Sequence, residues 1–92
     1  MSTKQQSQQH ADQEALGHQQ MQANITKNVI QTLGQPRNLH RIQVRQLWED
    51  HYRVNIFVGT DAASAKVIHS YFLVTHGDGS IVTASPKITK QY

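Results

Sequence analysis

Hydrophobic and polar residues alternate through the middle of the chain with the period of a β-strand. Ile42, Val44, Trp48, Tyr52, Val54, Ile56 and Val58 fall on one side, and Arg41, Gln43, Arg45, Arg53 and Asn55 on the other. Strand side chains point alternately to opposite faces, so this segment predicts a hairpin with one buried and one cationic face. Its strands run over about 39–48 and 52–58. A third strand, 66–75, is apolar on both sides, with Ile68, Phe72 and Val74 against Val67, Tyr71 and Leu73. Such a strand belongs inside a sheet or against another chain. His76-Gly77-Asp78-Gly79-Ser80 is a turn signal, because its glycines accept positive φ. A fourth strand, 81–85, ends at Pro86, which lacks a backbone donor.

Ahead of the strands, Ile25, Val29, Ile30 and Leu33 recur at helical spacing, which predicts a helix over 21–33. Asn24 is the N-cap candidate, and Gly34 followed by Pro36 is a stop signal. Residues 1–20 are dominated by Gln and hold too little apolar surface to offset the entropy of ordering. They are expected to form a disordered tail, with His10 and His18 solvated, since a metal site needs more ligands in fixed geometry. The whole predicts an α+β protein. An N-terminal disordered tail (1–20) precedes a single domain (21–88), in which one short amphipathic helix packs on a four-stranded antiparallel β-meander. In topology alone this order resembles the cystatin-like and other small α+β arrangements. None of their binding motifs is present, and shared topology implies no function.

With 92 residues and a polar first quarter, the foldable part supports only a marginal core. The absence of cysteine excludes disulfides, thiolate metal sites and a cysteine nucleophile. No apolar run reaches the ~20 residues of a membrane helix, and the first residues lack the hydrophobic stretch of a signal peptide. A cytoplasmic location away from membranes is therefore expected, with no cofactor and no metal. The net charge of +3 and pI near 9.5 are modest, but Arg37, Arg41, Arg45 and Arg53 cluster while the lysines scatter. Such a cluster attracts phosphate or carboxylate partners through its field.

Matching the apolar faces predicts strand registers. A two-residue loop at Glu49-Asp50 would set Val44 against Asn55 and mix the faces, whereas a three-residue loop, Glu49-Asp50-His51, pairs Val44 with Ile56, Ile42 with Val58 and Trp48 with Tyr52. In the next pair, Ile56 is expected opposite Ile68, Asn55 opposite His69 and Arg53 opposite Tyr71. The outward face then carries Arg45, Asn55 and His69 in a row, with Arg53 and Tyr71 adjacent and Arg41, Phe57 and Leu47 nearby. Guanidinium groups hold oxyanions bidentately, and Asn55 and His69 supply hydrogen bonds. A polar outer face is equally what any half-buried antiparallel sheet shows.

These features lead to a non-catalytic binding module that uses Arg41, Arg45, Arg53, Asn55, His69 and Tyr71 on an acidic partner. Sequence-tolerant nucleic-acid binding, a structural subunit of a larger assembly, and a small-molecule carrier or acid/base enzyme using His69 are the rivals. Ser70 beside His69, or Ser85 near Pro86, has no third group or oxyanion-hole motif to make a hydrolase. One helix, ~10 Å across, covers about half of a sheet ~19 Å wide. Trp48, Tyr52 and Phe72 are therefore expected to be buried by a second copy, giving a homodimer.

Overall fold

The computed structural model describes the backbone of residues 2–92 and the side chains of residues 17–92. Helix α1 (Ser2–Leu33) precedes β1 (Leu39–Trp48), β2 (His51–Val58), β3 (Lys66–Thr75) and β4 (Ile81–Ser85). The strands form one antiparallel sheet in the order β1-β2-β3-β4, with the helix packed on one face. Most of the expected tail, His10 included, lies outside the described side chains. His18 is exposed, its Nε2 lying 3.2 Å from Gln22 Nε2 one turn on.

The helix docks because Met21, Ile25, Val29 and Leu33 recur every four residues and share one stripe. Ile25, Val29 and Leu33 are fully buried against Tyr52, Val54 and Ile56 of β2, Tyr71 and Leu73 of β3, and Ile88 beyond the last strand. Burial pushes the Tyr52 and Tyr71 phenols above their usual range, with the Asp50 charge adding to the effect at Tyr52. Asn24 does not cap the helix; it sits within α1 and donates from Nδ2 to Asp78 O at 3.0 Å. Asn28, one turn on, donates to Gly79 O at 2.9 Å, so two amides fasten the helix to the β3–β4 turn. Gln22 Nε2 donates to Val44 O at 3.2 Å and occupies an acceptor on β1, an edge strand otherwise open to pairing.

Gly34, at φ +89°, ends the helix with its N–H on Ile30 O at 2.8 Å. The backbone N–H groups of Gln91 and Tyr92 then donate to Leu33 O at 2.9 and 3.2 Å. The chain after Pro86 thus returns to the helix end, and Ile88 enters the core at 7 % exposure. This segment supplies cover that the width of a single helix had assigned to a second copy.

Local bulges set the registers differently from simple face matching. The β1–β2 turn is the two-residue form, with Trp48 opposite His51, and a bulge at Leu47 then shifts the pairing so that Val44 meets Val54 and Ile42 meets Ile56. Apolar faces still match, but Trp48 moves to the outer face, 54 % exposed. Between β2 and β3, Tyr71 lies opposite Val54, His69 opposite Ile56 and Ser70 opposite Asn55. Ile68 is skipped by a second shift, so His69 and Tyr71 face inward and Ser70 and Phe72 outward.

Candidate functional site

The described side chains of α1 pack on the inner face of the sheet, and the side chains of the outer face fall into rows of directly paired residues. Arg45 stands opposite Arg53, which stands opposite Phe72. The next row is Gln43, Asn55 and Ser70; the one after it is Arg41, Phe57 and Val67. Successive rows are two residues apart, ~6.7 Å along the strands, which places Arg41 and Arg45 ~13 Å from each other.

The middle row is tied together. Ser70 Oγ donates to Asn55 Oδ1 at 2.7 Å, Asn55 Nδ2 donates to Gln43 Oε1 at 3.3 Å, and Arg53 Nε donates to Ser70 Oγ at 3.4 Å. The guanidinium carbon of Arg41 lies 4.8 Å from the centre of the Phe57 ring. Arg41, Arg45 and Arg53 are all exposed, and no strand contains Asp or Glu. The face is thus cationic without an acid among its rows.

At the β1–β2 turn end, the Trp48 and His51 rings stack with centroids 4.4 Å apart, and Phe72 lies within 6.0 Å of Trp48. Of the three residues expected at a dimer interface, Trp48 and Phe72 share this outer cluster. Tyr52 does not; it is 3 % exposed and belongs to the core beneath.

Of the six residues expected to form the site, the structure brings Arg41, Arg45, Arg53 and Asn55 onto one face and separates His69 and Tyr71 from them. His69 lies on the helix side, where its Nε2 is 2.8 Å from Tyr92 Oη and its Nδ1 is 3.5 Å from Tyr71 Oη. Both ring nitrogens therefore meet tyrosine hydroxyls, and the ring stacks on Tyr71 with centroids 5.9 Å apart. Gln43 takes the outward place its alternation predicts, whereas Ser70 was missed as a member of the face. Ser70 shares its parity with Ile68, Phe72 and Val74, so alternation within β3 gave no sign of its outward place.

Among the described residues no three His, Cys, Asp or Glu side chains gather as a metal ion would need. No helix among the described residues is long and apolar enough to cross a membrane. Comparison with protein-family models, curated proteins and solved structures found no match.

Proposed function

We propose that this protein is a non-catalytic binding module whose uncovered sheet face engages an acidic partner through Arg41, Arg45 and Arg53. The observation behind this reading is the direct opposition of Arg45 and Arg53 on a face whose strands contain no acid. Like charges at directly opposed positions are destabilising, and an oxyanion bridging the two guanidiniums removes that cost. Asn55 and Ser70 lie beside the pair as further hydrogen-bonding groups, and Phe72 and Trp48 offer apolar contact among the charges.

Binding of a fluorescent polyglutamate peptide at low salt tests the proposal. The wild-type chain is expected to bind, and Arg45→Ala with Arg53→Ala to bind at least ~10-fold more weakly at an unchanged melting temperature. Equal binding by the double variant, or its unfolding, overturns the assignment.

The exposed Trp48 ring favours a second reading, single-stranded nucleic acid with Trp48 as a stacking platform. That reading requires an oligonucleotide to quench Trp48 fluorescence, with affinity falling as salt rises by ~0.7 log units per log unit for each phosphate neutralised. A homodimer built face to face would bring the arginine pairs of two copies together. Sedimentation showing a salt-stabilised dimer that Trp48→Ala dissolves would move the function to self-association.

A further inference from the structure

We propose that a cavity at the end of β1, lined by His40, Arg41, Phe57, Ala62 and Ala65, is a binding site for a small oxyanion group, a carboxylate or a phosphate. The β1–β2 pairing runs from Leu39 opposite Val58 directly to Arg41 opposite Phe57, leaving His40 as an extra residue in a bulge. In an unbroken strand, neighbouring side chains point to opposite faces. Here the bulge leaves two consecutive nitrogen-bearing residues, His40 and Arg41, lining one cavity, the kind of re-aiming that bulges provide beside binding sites.

The remaining walls suit an anion with a small apolar body. The guanidinium carbon of Arg41 lies over the Phe57 ring, 4.8 Å from its centre, and a guanidinium so placed can hold an oxyanion bidentately. Ala62 and Ala65 come from the β2–β3 loop, whose conformation is set by Asp61 Oδ1 accepting the Ser64 N–H at 2.8 Å. The Asp61 carboxylate, held ionised below the usual carboxylate range by its bonds to Ser64, lies within electrostatic reach of His40 and opposes an anion there, so the attraction must come from Arg41. The volume, about 240 Å³, is below the ~300 Å³ at which sites for drug-sized ligands begin, so the occupant is one functional group with a few attached carbons. This goes beyond the face proposed above, which shares Arg41 and Phe57 with the cavity.

Titration of the full chain with benzoate or inorganic phosphate, followed by backbone amide NMR with sodium chloride as the ionic-strength control, tests the site. Saturable shifts confined to His40, Arg41, Phe57, Ala62 and Ala65 are expected, and the anion that saturates identifies the source as carboxylate or phosphate. Ala62→Leu should abolish saturation by filling the cavity, and Arg41→Gln should weaken it ~10-fold or more; the latter stays informative if the leucine disturbs the loop. Arg45→Ala with Arg53→Ala should leave this titration unchanged even where polyglutamate binding is lost, so the two proposals fail separately. Shifts that chloride reproduces, or that persist with Ala62→Leu and Arg41→Gln in folded protein, overturn the site.

Discussion

Replacing Gly79 by alanine tests whether the helix is registered on the sheet through the β3–β4 turn. Gly79 has φ +88°, in the left-handed region that costs an L-residue about 1–2 kcal/mol. A Cβ there would stand 2.8 Å from Asn24 Cβ and 3.3 Å from Met21 Sδ, well inside ordinary carbon contact, so the helix and turn must separate. Separation strains two hydrogen bonds, Asn24 to Asp78 O and Asn28 to Gly79 O, each worth about 0.5–1.5 kcal/mol. Together these predict a loss of about 2–5 kcal/mol. In a domain of this size, at about 4–8 °C per kcal/mol, that lowers the melting temperature by on the order of 10–40 °C. Gly77 is the internal control, because its φ is not left-handed and an added Cβ meets nothing within 4 Å. Thermal denaturation followed by circular dichroism should show Gly77→Ala near wild type and Gly79→Ala far below it. Combining Gly79→Ala with Asn28→Ala should cost less than the two separate losses added together, since both break one contact. Equal melting temperatures for the two glycine variants would refute the docking account.

Two further expectations concern acid and the returning C-terminal segment. The Asp78 carboxyl is held below its ordinary value of 3.8 by the Ser80 hydroxyl and backbone N–H, so its contribution is present above that pH and disappears as pH falls through the lower folded value. The melting-temperature gap between wild type and Asp78→Asn should therefore close on acidification below about pH 4. For the segment after Pro86, Ile88→Ala should cost about 2 kcal/mol, whereas Val82→Ala, at 49 % exposure, should cost under about 0.5; chemical denaturation reads both.

The hairpin was legible where alternation has one apolar and one polar parity. Tyr52, Val54 and Ile56 enter the core and Arg53 and Asn55 stay outside, as their pattern requires. β3 offered no such contrast, since Val67, Ile68, Tyr71, Phe72, Leu73 and Val74 put apolar groups on both parities. Its phase was settled by Ile68 dropping out of the ladder, which turned His69 and Tyr71 toward the helix. The extra residue at Leu47 similarly moved Trp48 outward, although the apolar faces on either side still matched. A bulge adds one residue and leaves no mark in periodicity, so a pattern that fixes each strand's faces does not fix how neighbouring ladders align. Ile88 was missed for another reason. Pro86 ends strand pairing, and the six residues after it are too short and mixed to show a period of their own.

What survives these shifts is the placement of charge. The described acids Glu49, Asp50, Asp61 and Asp78 lie in turns or loops, while three exposed arginines occupy outward strand positions. A solvated sheet face gains from opposite charges across strands, yet Arg45 and Arg53 confront each other. At ~6 Å in water two unit charges repel by about 0.7 kcal/mol, and physiological salt reduces this further. A cost that small is easily tolerated by the fold, and relieving it does not destabilise the protein, although substituting Arg53 also removes its 3.4 Å bond to Ser70 Oγ. The pair is therefore nearly neutral for stability, so on the proposed reading a loss of binding at constant melting temperature would separate function from folding at these two positions.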